Sequence, residues 1–236
     1  MNILIINGKS GIGNALVDSL SKKEPNVLYT TKEILDKDNP NEIHWNYDGE
    51  DTVVALFNLL KNRIDNLDAV VNCLGSIFLK PGHMTSVQDF DKTLDLNLRS
   101  SFLILKQSIP LMRKNGGNIL FFSTAASSIG LQNHEAISAA KAGVEGLVKS
   151  AAATYAKNNI RINAVALGLV ETKLSSSLVK NIAGLEISKK MHSLSRIGTT
   201  SNITEIVEPL ILSKDLWMTG SIVNLDGGLS TTKLSG

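Results

Sequence analysis

One cysteine, Cys73, stands in 236 residues. A lone thiol excludes an intrachain disulfide framework and any zinc site built on several cysteines. It fits a reducing, cytoplasmic setting, and no metal site is predicted. Charge imbalance is also lacking: 24 Lys and Arg face 22 Asp and Glu, for a formal net charge of +2. The cations are scattered rather than blocked together, so nucleic acid is not an expected partner. No apolar run approaches the roughly 20 residues that span a bilayer, so no membrane partner is expected. The opening MNILIING has no basic lead, and its apolar run is too short for a signal peptide. Internal repeats, low-complexity stretches and linkers are missing as well. With 43% hydrophobic residues, the chain has the composition of a globular protein large enough to bury its core without staples.

What is present is alternation. Residues 3–6 form a short apolar run, followed by a glycine turn and a helical pattern at Ile12, Leu16 and Leu20. That order opens a βαβ unit. Further strands are expected at 27–30, 43–46, 67–73, 119–123, 160–166 and 221–225. Helices are expected at 51–63, at 87–113 with Pro110 weakening the last turn, and from the segment containing Lys141 to about 157. A polar stretch with helical pieces covers 172–213. Several strands are apolar on both faces, the pattern of a parallel sheet covered on both sides. The expectation is one doubly wound α/β domain over 1–229, Rossmann-like, with seven parallel strands and a loose tail over 230–236.

Gly8, Lys9, Ser10, Gly11, Ile12 and Gly13 follow the first strand and open the first helix. A helix start after such a turn presents free amides and a positive dipole end to a diphosphate, which points to a dinucleotide. An acidic residue after the second strand would favour an unphosphorylated ribose. Thr31 and Lys32 stand there instead, with Lys9 nearby, so NADP(H) is preferred and NAD(H) is not excluded. Both lysines also read as ordinary solvated charges.

Residues 119–146 combine a buried strand, a loop rich in hydroxyls and a helix with Lys141 on its apolar face beside Ile137, Val144 and Val148. An ammonium there is costly to bury without partners. The stretch resembles the catalytic segment of the short-chain dehydrogenase/reductase family, in which a strand-end serine precedes a Tyr-x-x-x-Lys pair. Thr124 sits at the serine position and Lys141 at the lysine, but Ile137 occupies the tyrosine position. The resemblance extends along the chain. The family's Thr-Gly-x-x-x-Gly-x-Gly is matched by Asn7 to Gly13 with one residue fewer. Asn46 matches an adenine-contacting aspartate, Asn72-Cys73-Leu74-Gly75 matches Asn-Asn-Ala-Gly, and Asn97 matches the active-site asparagine. The turn Leu167, Gly168, Val170 and Thr172 matches a Pro-Gly-x-x-x-Thr segment, with leucine in place of proline.

The resemblance implies that residues 8–13, Thr31, Lys32, Asn46, Asn72, Leu74, Gly75, Lys141, Leu167, Gly168, Val170 and Thr172 face the cofactor. It implies that Thr124, Lys141 and Asn97 serve catalysis. Asn97 also reads as a structural amide bonding a neighbouring backbone. His134, three residues before Ile137, shares its helical face if the helix has begun there, and imidazole is a candidate proton donor; it equally suits the rim of a pocket. Two functions remain open. One is an oxidoreductase acting on a small carbonyl or alcohol with reassigned acid–base chemistry. The other is a dinucleotide-binding pseudoenzyme with a regulatory or assembly role. The resemblance also implies a homodimer or homotetramer.

Overall fold

The computed structural model describes residues 1–33 and 39–232. Seven strands form one parallel sheet: β1 Asn2–Ile6, β2 Asn26–Thr31, β3 Glu42–His44, β4 Ala69–Asn72, β5 Gly117–Thr124, β6 Ile160–Leu167 and β7 Ile222–Leu225. Their order is β3-β2-β1-β4-β5-β6-β7. Every ladder is parallel, as the strand–helix alternation predicts. The helices are α1 Gly11–Leu20, α2 Gly49–Lys61, α3 Val87–Leu94, α4 Ser100–Met112, α5 Glu135–Tyr155, α6 Ser176–Lys180, α7 Ile182–Met191 and α8 Thr200–Leu212.

The side-chain period of two explains why both sheet faces are apolar. In β1, Leu4 and Ile6 join the core formed with Phe57, Ile104 and Val144 from α2, α4 and α5. Ile3 and Ile5 point the other way, to Leu16 of α1 and Val207 of α8. Each such side chain, fully buried, contributes about 1.5–3 kcal/mol of transfer free energy. Strand order reverses beside β1, whose neighbours are β2 and β4. A parallel sheet opens a crevice at the carboxyl ends of its strands at this switch point. The turns after β1 and β4 both empty into it.

Four expectations change. The third strand stops at His44, which leaves Asn46 exposed beyond its end. The long helix expected over 87–113 is divided by a π-helical turn, Asp95–Arg99, between α3 and α4. Pro110 lies inside α4, which continues to Met112. The tail is fastened further than expected: the Ser230 amide donates to Asp226 Oδ2 at 3.0 Å, and the Thr232 hydroxyl donates to the Gly228 carbonyl at 2.7 Å. Residues 233–236 lie outside the described residues.

The turn after β1 begins with Asn7 at φ 62°. This left-handed conformation suits Asn or Gly and disfavours β-branched residues. It places the Asn7 amide on Thr30 Oγ1 and the Gly8 amide on the Thr30 carbonyl, both at 2.8 Å. Asn7→Gly is therefore expected to stay within about 0.5 kcal/mol of the parent, whereas Asn7→Thr should lose about 1–2 kcal/mol. Urea denaturation of the two variants checks this; equal stability would remove the conformational explanation.

Candidate active site

The glycine turn presents donors. Ser10 caps α1 by accepting the Gly13 amide at 3.1 Å, and the Ser10 amide donates to the Asn7 carbonyl at 3.0 Å. The amides of Lys9, Gly11 and Ile12 have no protein partner among the described residues. Three such N–H groups at a helix start suit an anion. A Cβ on Gly13 would run into the Asn7 carbonyl, so the turn closes this tightly only without a side chain there. Gly11 meets the side chain of Thr172, where a Cβ would lie 2.8 Å from Thr172 Cβ. The turn after β6 thus lies directly over the glycine turn.

The cation expected near the adenosine end is not free. Lys9 Nζ pairs with Glu42 Oε2 at 3.2 Å and stands 5.4 Å from the centre of the Tyr29 ring. The bond to Glu42 holds the Lys9 ammonium above its ordinary pKa, against a smaller opposing effect of burial. Tyr29 donates its hydroxyl to the same carboxylate at 2.7 Å. Thr31 is buried, its hydroxyl accepting the Glu33 amide at 3.0 Å. Lys32 is exposed.

At the other end of the crevice, the chain brings Asn72, Leu74, Gly75, Asn97 and Lys141 together. The Asn72 amide donates to Ser101 Oγ at 3.2 Å, and its oxygen takes the Leu74 N–H at 3.1 Å. Asn97 is fully buried within the π turn, an irregularity often found at functional sites. Its amide nitrogen donates to Ser76 Oγ at 3.0 Å and to the Thr93 carbonyl at 2.9 Å, while its oxygen accepts the Ser76 N–H at 3.2 Å. The structural role and a place in the site coexist, because a Cβ on Gly75 would lie 3.0 Å from Asn97 Oδ1 and 3.5 Å from Lys141 Nζ. Gly75 keeps that wedge open.

Lys141 follows buried Ile137 by one turn of α5 and donates to the Phe122 carbonyl at 2.9 Å. Its other two N–H groups have no protein partner among the described residues. Burial pushes its pKa down to about 8. The residue keeps some exposed surface although protein packs densely around it. The neighbouring Cys73 thiol is pushed up by burial, so it stays protonated and unreactive near neutrality.

Thr124 closes β5. Its hydroxyl donates to the Leu167 carbonyl and accepts the Ala126 amide, both at 3.4 Å. Such long bonds are readily exchanged for a better partner. Ser123 turns the opposite way, donating to Glu145 Oε1 on α5 at 2.6 Å. His134 is the N-cap residue of α5, with Nδ1 2.7 Å from the Gln132 carbonyl. No hydrogen bond joins it to Thr124, Lys141 or Asn97 among the described residues.

The turn after β6 is held by several partners. The Gly168 amide reaches the Leu225 carbonyl at 3.2 Å, and the Leu169 carbonyl accepts the Gly198 amide at 2.8 Å. Val170 gives its carbonyl to Ser175 Oγ at 2.5 Å, and the Thr172 amide donates to Ser175 Oγ at 3.0 Å. Ser76, Glu42 and His192 escaped the sequence reading because each acts through a partner on another element, and Ser175 because its bonds close a local turn that no pattern marks. Only the Tyr29–Glu42 pairing had a local sign, a carboxylate opening a strand beside an aromatic strand.

The family model described as enoyl-(acyl carrier protein) reductase matches residues 6–230. The chain belongs to the short-chain dehydrogenase/reductase family. Trans-4-hydroxycyclohexanecarboxylate dehydrogenase of Sinomonas cyclohexanicum is 31% identical over 166 residues, 70% of this chain. That match spans 61% of the relative, less than two thirds of its length. A 3-oxoacyl-[acyl-carrier-protein] reductase of Aquifex aeolicus is 26% identical and covers 96% of both chains. A solved 4-hydroxyisoleucine dehydrogenase mutant, complexed with NADH and succinate, is 25% identical. It superposes with a TM-score of 0.91 over 99% of this chain and 100% of its own.

The Lys141 shift carries a stability consequence. Its folded pKa lies near 8, below the ordinary 10.5. The protonated lysine therefore costs stability below pH 8, and the cost is lifted as pH rises from about 8 towards 10.5. Lys141→Met is expected to be more stable than the parent at pH 7 by about 1–2 kcal/mol, with the gap closing by pH 10. Chemical denaturation across that range checks it; a gap independent of pH would show that burial is not the cause.

Proposed function

We propose that the protein is an NADP(H)-preferring oxidoreductase that transfers hydride to or from a small carbonyl or alcohol. The observation that carries this reading is the Lys141 ammonium, buried in a wedge with Gly75 and Asn97 and left with two donors to spare. A ribose hydroxyl and a water beside it would accept the two donors and offset the desolvation. The free amides of Lys9, Gly11 and Ile12 suit the diphosphate. By the family resemblance, Thr172 would bond the nicotinamide carboxamide. The bound dinucleotide supplies the hydride.

The preference for NADP(H) rests on Thr31 and Lys32, which close β2 and follow it where a carboxylate would favour NAD(H). Lys9 contributes only if it leaves Glu42.

Ile137 fills the position of the family tyrosine and donates no proton. We assign the proton to a water held between Lys141 and Asn97. The protonated Lys141 can replenish that water. Thr124 orients the substrate oxygen by giving up its long bond to Leu167. His134, with one ring nitrogen engaged at the start of α5, is assigned to the rim. Phe102, half exposed on α4, supports assembly into a homodimer or homotetramer through this helix.

The test is NADPH binding by fluorescence, with turnover over a panel of small ketones and aldehydes. NADPH should bind, and turnover should be slow. Ile137→Tyr should raise kcat by about 10²–10⁴-fold, the usual worth of a positioned acid–base group. His134→Ala should leave the pH–rate profile unchanged. Binding without turnover on every substrate, including by Ile137→Tyr, favours the pseudoenzyme instead; absence of binding overturns both.

A further inference from the structure

His192 lies just past the end of α7, is 3% exposed, and belongs to no motif in the sequence. Both ring nitrogens are committed. Nδ1 is 2.6 Å from the Ser188 carbonyl, and Nε2 is 3.2 Å from the Leu169 amide. A carbonyl only accepts and an amide N–H only donates, so the partners assign the tautomer: Nδ1 carries the hydrogen and Nε2 is bare. The ring also presses on Gly168, where a Cβ would stand 2.5 Å from Nε2 and 3.0 Å from Asp226 Cα. The turn after β6 is thus wedged between an imidazole and the backbone that follows β7.

The turn needs such a hold. Leu167 leaves its backbone angle free where a proline would fix it. Backbone bonds hold the Gly168 amide and the Leu169 carbonyl, but the Leu169 amide has His192 as its acceptor, and the turn borders a pocket lined also by Arg196 and Ile203. Four residues after Gly168, Thr172 rests on Gly11. Thr172 is kept there by Ser175 as well, so the part of the turn that depends on the imidazole is Leu169 itself.

We propose that His192 is a positioning residue: through its bare Nε2 it fixes the Leu169 amide, and with it the turn that the family resemblance sets beside the nicotinamide, and it couples that turn to α7. This rests on the dinucleotide reading above. It adds a specific contact from a distant element, one that does in this chain what a proline ring would do locally.

Two substitutions separate the two ring nitrogens. His192→Asn places a polar group near Nδ1 and none near Nε2, whereas His192→Gln reaches the Nε2 position with an amide oxygen. Both are polar, so both keep the site hydrated if packing loosens. Affinity is measured for NADPH and for 2′-phospho-ADP-ribose, the same molecule without nicotinamide.

The Gln variant should stay within about threefold of the parent for both probes. The Asn variant should lose about tenfold on NADPH, the worth of one buried amide left without an acceptor, with the fragment unchanged. Equal NADPH affinity in the Asn variant and the parent would overturn the proposal. So would parallel losses on both probes, which mark general loosening of the fold. A parent that binds neither probe overturns the dinucleotide reading and this inference with it; a parent that binds both, with variants that do not discriminate, overturns the inference alone.

Discussion

A buried ammonium is the constraint on which the site depends. Taking a lysine head group out of water costs several kcal/mol unless it finds partners. Lys141 finds one, the Phe122 carbonyl, and its pKa falls to about 8. The surrounding structure is arranged to keep the rest of its bonding capacity open. Gly75 withholds a side chain from the space beside Nζ, and Asn97 is turned towards the same space by the π turn and by its bonds to Ser76 and Thr93. A methionine at 141 would fill the same volume without the electrostatic cost, and a side chain at 75 would crowd Asn97 Oδ1. The ammonium makes sense as a donor to polar acceptors that enter the wedge.

Much of this was legible in the sequence because the signals are local. The parallel sheet follows from apolar runs alternating with helical patterns, and the Lys141 spacing from Ile137, Val144 and Val148 places the ammonium on the buried face of α5. Asn97 was legible through the family resemblance. The π turn around it was not, since an extra residue in a helical turn leaves the surrounding pattern almost unchanged. Lys9 was misread as a free cation because its partner, Glu42, is 33 positions away and is brought alongside by the pairing of β2 with β3. His192 was invisible for the same reason: its importance lies in a carbonyl and an amide on two different elements.

The departures from the family pattern share a physical logic. Asn7 tolerates the left-handed backbone that the shortened glycine turn requires, so the loop loses a residue and still delivers its amides. Leu167 loses the fixed angle of proline, and the turn it opens is held by Leu225, Gly198 and His192 instead. In both places a local determinant has been exchanged for a conformational preference or a distant contact. Ile137 is the exception. It is buried, and on the proposed reading the proton is assigned to a water between Lys141 and Asn97.

The most direct measurement is the pKa of Lys141 itself, followed by NMR on protein carrying labelled lysine, with and without saturating NADPH. A ligand that accepts from the ammonium favours its charged form. The account predicts a value near 8 in the free protein that rises towards the ordinary 10.5 when NADPH is bound. A value that does not move on saturation would contradict it, because the dinucleotide would then be bound without touching the residue around which the site is built.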